Sequence, residues 1–182
     1  MAEMIEASGL GIRIAQIPSA DANEPNSSIY IVSHLDASAT SSHRIEITNT
    51  TDAPIQVSMT AGAATNFNGE FKTMGPDVIN DLTSWTEISP SSGKVPAHGS
   101  LSAVVTITTP AEVTSGQQFG VIWAAASSPP DSQGVININR VGIRMYIPVG
   151  NYSNATAIIS TTSSKWIPTP ADQVQWFAII LI

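Results

Sequence analysis

The sequence predicts an all-β protein, an immunoglobulin-like antiparallel β-sandwich of about seven to nine strands. Two observations lead to this prediction: several segments alternate apolar and polar residues with period two, and clusters of turn-forming residues separate them. Of the 182 residues, 42% are hydrophobic and 12% are charged, so the chain has the composition of a globular domain with its own core. The sequence shows neither a βαβ rhythm nor an amphipathic helix of three turns.

Alternation is clearest in residues 43–49, 55–60 and 101–108. Each segment fits an antiparallel strand that has one face on a core and the other face in water. The predicted inward residues of these strands are Ile45, Ile47, Ile55, Val57, Met59, Leu101, Ala103, Val105 and Ile107.

The turns are predicted from local chemistry. Residues 49–54 (NTTDAP) and 95–100 (VPAHGS) concentrate turn formers between strands. Asn68-Gly69 predicts a type I′ hairpin, and the oxygen-bearing side chains around it leave a calcium site as the lesser alternative. Residues 127–134 (SSPPDSQG) are expected to form an extended polar loop.

Two segments depart from simple alternation. Across 135–149 the apolar phase changes between Asn139 and Val141, which predicts a β-bulge or a bend at that point. Residues 74–84 have brief helical character, and Pro76 suits the first turn of such a helix.

The chain divides by composition into three parts. Residues 1–28 are expected to form an N-terminal arm or first strand, and residues 29–150 form the sandwich. Residues 151–182 are a linker rich in Ser, Thr and Pro that ends in the apolar segment 174–182. This segment is far shorter than the roughly 20 residues that span a bilayer. It is expected to be a buried last strand or the point where a longer protein continues, and truncation at both ends is the favoured interpretation.

The overall charge argues against nucleic acid as a partner. The chain has 14 acidic and 7 basic residues and a net charge of −7, whereas proteins that bind phosphates usually concentrate positive charge on one face. An anionic membrane surface is disfavoured for the same reason. Cysteine is missing from the sequence, which excludes disulfides, thiol catalysis and thiolate metal sites. The first residues also lack the basic and apolar regions of a signal peptide.

No catalytic arrangement is recognisable in the sequence. His34, His43 and His98 are scattered without metal-ligand spacing, so they are expected to be polar residues of loops or strand edges. Serine is plentiful, but no Gly-x-Ser-x-Gly motif occurs. We therefore expect no catalytic residues, no metal site and no cofactor, and the protein is not expected to be an enzyme.

The first candidates for ligand binding are charged residues of one predicted strand. Arg140 and Arg144 share a face of this strand, and Tyr146 follows on the same face. This arrangement gives either a solvated outer face with cross-strand ion pairs or a cationic strip that binds carboxylates.

The remaining candidates are tryptophans. Trp166 lies in the polar linker and Trp85 begins a strand after a loop, so either side chain could be exposed and stack on a sugar ring. Trp123 lies in the middle of a strand, in phase with Phe119 and Val121, and is expected in the core.

Three stretches of the chain resemble a known family. Residues 30–64 run from strand to turn to strand, residues 85–110 place a Pro turn before a long alternating strand, and residues 116–150 complete the order. Together they resemble the peptidoglycan-binding Ig-like domain of the WxL-interacting proteins, which are surface proteins of Gram-positive bacteria with similar modules in actinobacteria. The resemblance covers roughly 29–150. The chain contains no Trp-x-Leu, which places it beside the interacting partners and not among the WxL proteins.

This resemblance implies a non-catalytic extracellular module of the cell surface or cell wall that recognises peptidoglycan or a surface protein. It also implies a membrane anchor that would lie outside this chain. Two alternatives stay open. Segment 174–182 would suit a structural subunit that self-assembles by adding a strand to its neighbour. A carbohydrate-binding accessory domain would need at least two exposed coplanar aromatic residues, and it is excluded if Trp85, Trp123 and Trp166 are buried or dispersed.

Overall fold

The structure is a computed structural model and describes residues 9–75, 77–127 and 138–151. These residues form ten strands and one short helix, α1 (Asp81–Trp85). The strands are β1 (Leu10–Gln16), β2 (Ile31–Val32), β3 (Thr40–Asn49), β4 (Ile55–Phe67), β5 (Glu70–Thr73), β6 (Thr86–Ser89), β7 (Ser92–Val95), β8 (Ser100–Thr108), β9 (Gly116–Ser127) and β10 (Ile138–Val149).

Two mainly antiparallel sheets form an immunoglobulin-like sandwich, which confirms the predicted fold class. The four-stranded sheet has the order β1-β3-β8-β6. The six-stranded sheet has the order β2-β10-β9-β4-β5, with β7 also paired to β4. β2 runs parallel to β10, whereas every other strand pair in the described part is antiparallel. The described strands outnumber the predicted seven to nine because β2, β5 and β7 are too short to give a periodic signal.

The core lies between the two sheets and contains the residues that alternation predicted. Ile45, Ile47, Val57, Val105 and Ile107 are fully buried. Ile55 and Leu101, near strand ends, are partly buried against the same core. The six-stranded sheet contributes further buried residues from its central strands, namely Ile122, Ala124, Ala126, Ile143, Met145, Ile147 and Val149.

The longest ladder joins β9 and β10, and it contains no bulge. Its register runs without a shift from Ile138↔Ser127 to Val149↔Gly116, so the bulge predicted between Asn139 and Val141 is wrong. The reason is that Ile138 points outward and is 63% exposed. An apolar residue on the solvent face therefore produces the phase change, and no residue is inserted.

Local turn chemistry explains two connections. Asn68 and Gly69 have φ angles of 52° and 81°, which confirms the predicted type I′ hairpin between β4 and β5. The helix is shorter than predicted and begins at Asp81. Asn80 caps it: the Asn80 side chain accepts a hydrogen bond from the Thr83 backbone at 3.0 Å, and the Thr83 hydroxyl accepts one from the Asn80 backbone at 3.0 Å.

Several predictions concern residues outside the described ranges. These are the loop beyond residue 127, the role of Pro76, the linker and segment 174–182, and Trp166. Within the described ranges, no helix is long and apolar enough to cross a membrane.

Candidate functional site

Alternation along β10 directs one row of side chains outward from the six-stranded sheet. Ile143, Met145 and Ile147 are buried in the core, so the residues between them point to the opposite side. This row includes all three residues that the sequence grouped on one strand. Its members are Ile138, Arg140, Gly142, Arg144 and Tyr146.

Tyr146 is the centre of an aromatic cluster on this side of the sheet. Its ring centroid is 5.4 Å from that of Tyr30, 5.5 Å from that of Phe71 and 5.9 Å from that of Phe119. Phe119 stands directly opposite Tyr146 in the β9–β10 pair. The rings are tilted or edge-on, and each such pair contributes roughly 0.5–1.5 kcal/mol beyond its buried area. The cluster therefore ties separate parts of the chain to the outward side of β10.

The β4–β5 hairpin carries Phe71 to this cluster. β4 pairs with β9 as far as Ala63↔Gly120, and beyond that point it pairs with β5. The Asn68-Gly69 turn then reverses the chain, and the Phe71 ring meets Phe119 edge-on at a centroid distance of 6.4 Å. A turn that the sequence predicts thus positions a residue that sequence analysis did not identify.

Arg144 is held between two aromatic rings of the cluster. Its guanidinium carbon lies 4.8 Å from the centroid of Phe71 and 5.9 Å from that of Tyr30, within the range of cation–π attraction. A side-chain hydrogen bond with Tyr146 raises the pKa of Arg144 above its usual value. Arginine is charged at any physiological pH, and these contacts set the position of the guanidinium before any ligand arrives.

Trp123 lies on the same outward side, which corrects its predicted place in the core. On β9 the buried residues are Ile122 and Ala124, so Trp123 points away from them and is only half-buried. A Cβ at Gly142 would be 2.7 Å from the indole Cε3, and a Cβ at Gly62 would be 2.8 Å from Nε1. The indole therefore spans the sheet surface from β4 to β10 in space that these two glycines leave open.

Positive charge is concentrated on this side of the sheet. Arg140 lies with its guanidinium carbon 5.5 Å from the Trp123 ring centroid. Lys94 on β7 is opposite Gln56 and so shares its outward direction. Among the described strand residues that point outward from this sheet there is no Asp or Glu. We call this surface the arginine–aromatic face, formed by Tyr30, Phe71, Lys94, Phe119, Trp123, Arg140, Arg144 and Tyr146.

The other predicted tryptophans do not join this face in the described part of the structure. Trp85 ends α1 and precedes β6 of the four-stranded sheet, where it packs partly buried against the core. Trp166 lies outside the described residues. Trp85 and Trp123 are therefore dispersed on different sheets, and a paired tryptophan platform is not formed by these two residues.

A buried polar network, which sequence analysis missed, joins β3 to the segment before it. His43 is 1% exposed, which corrects its predicted place in a loop or at a strand edge. Its Nε2 lies 2.8 Å from Ser33 Oγ, while Ser33 and Ser41 both donate hydrogen bonds to Asp21 Oδ2, at 2.5 and 3.2 Å. The signal was present in the sequence, because His43 is in phase with the core residues Ile45 and Ile47.

This network does not have the geometry of a catalytic triad. Ser33, Ser41 and Asp21 all approach the same ring nitrogen of His43, whereas a triad places its serine and its carboxylate on opposite nitrogens. His43 Nδ1 is buried and has no hydrogen-bond partner among the described residues. Burial lowers the pKa of His43, against the attraction of Asp21, which raises it. The arrangement therefore fixes a neutral imidazole in the core and serves the fold.

Comparison with known proteins shows the fold. Neither a protein-family model nor a curated protein matches the sequence, but solved structures do. An ASH/PapD-like domain of human CEP192 is 13% identical with a TM-score of 0.51, covering 80% of this chain and 88% of that chain. A chain from the complex of the Salmonella enterica SafA pilin with the SafB chaperone is 8% identical with a TM-score of 0.51, covering 80% of this chain and 57% of that chain.

One similar structure is an enzyme. A family 123 glycoside hydrolase from Clostridium perfringens is 16% identical with a TM-score of 0.49, and the match covers 77% of this chain but 27% of that chain. At such identities these likenesses show an Ig-like, PapD-like fold, and function has to be argued from the site.

Proposed function

We propose that the protein is a non-catalytic, extracellular module of the cell wall that binds peptidoglycan through the arginine–aromatic face. The observation that carries the proposal is the concentration of Arg140, Arg144 and Lys94 on one sheet surface of a chain whose net charge is −7. A cationic surface with no carboxylate among its described strand residues is complementary to an anionic ligand.

Peptidoglycan offers both chemical groups that this face would recognise. Its peptide stems carry carboxylates, as does muramic acid wherever its stem has been removed, and arginine binds carboxylates with paired hydrogen bonds. Its sugar rings have apolar faces that suit aromatic side chains such as Trp123 and Tyr146. The resemblance of residues 29–150 to the peptidoglycan-binding domain of the WxL-interacting proteins supports the same ligand and an extracellular location.

The buried polar groups support a binding role over catalysis. The Asp21, Ser33, Ser41 and His43 network is enclosed in the core and has the wrong geometry for nucleophilic attack. Within the described ranges, no three His, Asp or Glu side chains gather in a way that would hold a metal ion. The arginine–aromatic face itself contains no carboxylate or imidazole that would transfer a proton.

The test is a pull-down on insoluble peptidoglycan sacculi with Arg140→Met/Arg144→Met. Methionine retains the apolar stem that packs beside the aromatic rings and removes the charge. We expect binding to weaken at least about tenfold, since hydrogen bonds to charged groups contribute roughly 1.5–3 kcal/mol each. The double lysine variant, Arg140→Lys/Arg144→Lys, should retain part of the affinity because it retains the charge.

A matched control is available on the other sheet. Arg13 and Arg44 lie on β1 and β3 and are exposed, so Arg13→Met/Arg44→Met changes the net charge equally without touching the arginine–aromatic face. Equal losses in both double variants would mean that general charge, and not this face, governs binding.

Wild-type protein that fails to bind sacculi would overturn the proposal. The Salmonella structure named above is a pilin in complex with a chaperone, and an acidic protein partner for the same face would then be the next ligand to test. Dependence on segment 174–182 would instead support self-assembly by strand addition.

A further inference from the structure

We infer that Trp123 and Arg140 form a subsite of the arginine–aromatic face that binds a carboxylate-bearing sugar. The inference rests on the function proposed above and names the part of the ligand that this subsite would take, which is muramic acid whose lactyl carboxyl carries no peptide stem. In this subsite the indole of Trp123 packs against the sugar ring, and the guanidinium of Arg140 binds the carboxylate.

The indole is the aromatic surface of this face that stays available. Tyr146 is in contact with three rings, and the rings of Phe71 and Tyr30 also contact Arg144. No aromatic ring contacts Trp123 among the described residues. Part of its indole lies over Gly62 and Gly142, and the Arg140 guanidinium lies near the ring. Because Trp123 is only half-buried, the exposed part of the ring forms an apolar platform.

The glycines explain why this platform exists. A methyl group at either position would come within 3 Å of the ring, closer than atoms in van der Waals contact. Replacing either glycine by a residue with a side chain would force the ring to move away from its place across β4, β9 and β10. The two glycines therefore leave room for the indole to extend across the sheet surface from β4 to β10.

The surroundings of the indole favour a sugar over an apolar peptide side chain. Thr60 stands directly opposite Trp123 on β4 and is exposed, and Ser58 is the next outward residue of that strand. Hydroxyl groups at the rim of an aromatic platform can donate and accept hydrogen bonds with the hydroxyls of a sugar. A purely apolar ligand would leave these groups without new partners.

The position of Arg140 favours a sugar that carries a carboxylate. At 5.5 Å from the ring centroid, its guanidinium is within cation–π range of the indole, and this contact leaves its N–H donors open to a ligand. Arg140 is exposed and has no ion pair within the described ranges. Its donors can therefore turn to a carboxylate on a sugar that lies on the indole, whereas a neutral sugar would gain nothing from the charge.

The test is a titration followed on the indole N–H signals of the four tryptophans by nuclear magnetic resonance. The Trp123 signal is assigned from its loss in Trp123→Phe. N-acetylmuramic acid is the probe, and N-acetylglucosamine is the matched sugar without the carboxylate. We expect N-acetylmuramic acid to move the Trp123 signal and to bind at least about tenfold more tightly than N-acetylglucosamine.

Two variants separate the role of Arg140 from a general effect of charge. Arg140→Met should reduce the affinity for N-acetylmuramic acid to that for N-acetylglucosamine. Arg44→Met removes the same charge from β3 of the other sheet, where Arg44 is exposed, and should change the affinity for either sugar by less than about twofold. Equal effects of the two variants would contradict the inference.

The outcomes also distinguish this inference from the proposed function. One outcome is that sacculi binding depends on the arginines while N-acetylmuramic acid leaves the Trp123 signal unchanged or binds no more tightly than N-acetylglucosamine. This result would overturn the sugar subsite alone. If the Trp123 signal shifts and the shift depends on Arg140, but the protein does not bind sacculi, the subsite is supported and the proposed ligand is overturned.

Discussion

His43 Nε2 lies 2.8 Å from the hydroxyl oxygen of Ser33. This contact joins β3 to the residue that directly follows β2. Ser33 donates its own proton to Asp21, so its oxygen accepts from an Nε2–H of His43. That tautomer leaves Nδ1 as an unprotonated nitrogen in the core. Protonating His43 would therefore place a new N–H where the described residues offer no acceptor.

The burial of His43 predicts that the stability of the fold depends on pH, at pH values above those where carboxylates titrate. Burial lowers the pKa of His43 in the folded protein, so below pH about 6.5 the unfolded chain binds more protons than the folded one. The free energy of unfolding should therefore fall as the pH falls from about 7.5 to 5.5, by at most roughly 1.4 kcal/mol per pH unit. Urea unfolding at several pH values measures it.

The variant His43→Gln provides the comparison. Glutamine does not titrate and its amide can still donate to Ser33, so the pH dependence should flatten in this variant. His34→Gln, at an exposed position, should retain the slope of the wild type. An unchanged slope in His43→Gln would show that another group is responsible.

Asn49→Ala should be among the more destabilising polar substitutions. The Asn49 side chain is 1% exposed and donates to the carbonyls of Ala53 at 2.8 Å and Pro96 at 2.9 Å. It also accepts from the Thr51 backbone at 3.0 Å. Its loss removes three hydrogen bonds that join two turns, each worth roughly 0.5–1.5 kcal/mol, so we expect a cost of about 2–3 kcal/mol in urea unfolding.

Two further variants test the explanation for Asn49. Asn49→Asp retains the acceptor for Thr51 but cannot donate to the two carbonyls, so it should not restore stability. Asn139→Ala, at an exposed strand position, should change stability by less than about 0.5 kcal/mol. A loss below about 1 kcal/mol in Asn49→Ala would contradict the role given to this amide.

Gly69→Ala should weaken the hairpin that carries Phe71. Gly69 has a φ of 81° and open space around its missing side chain, so the penalty comes from the backbone alone, at about 1–2 kcal/mol. The control is Asn68→Gly, which suits the positive φ of that position and should be close to neutral. Thermal unfolding measures both variants, and equal melting temperatures for Gly69→Ala and wild type would refute the assigned turn.

Gly142→Ala should displace the Trp123 indole while leaving the charges of the face in place. The added methyl group would overlap ring carbons that lie 2.7–2.8 Å from its position, and overpacking of this kind costs about 1–3 kcal/mol. We expect the indole N–H signal of Trp123 to shift and sacculi binding to weaken. A spectrum identical to that of the wild type would show that the ring does not rest on this glycine.

Much of the fold could be predicted because period-two alternation reports which face of a strand is buried. It identified Ile45, Ile47, Val105 and Ile107 as core residues, and the same parity placed Arg140, Arg144 and Tyr146 on one side of β10. The same alternation also indicates that His43 is buried, because His43 is in phase with Ile45. Its polarity alone favours a loop or a strand edge. The bulge prediction failed because Ile138 is an apolar residue on an outward face.

The sequence by itself determined the sandwich, the hairpin at Asn68-Gly69 and the grouping of the two arginines, because these depend on the chemistry of neighbouring or alternating residues. The tertiary structure alone decided which side of β9 is the core. Both faces of that strand are apolar, with Phe119, Val121 and Trp123 on one and Ile122 and Ala124 on the other, so parity cannot rank them. It also decided that Tyr30 and Phe71 meet at Tyr146, since contacts between residues far apart in the chain depend on how the strands pair.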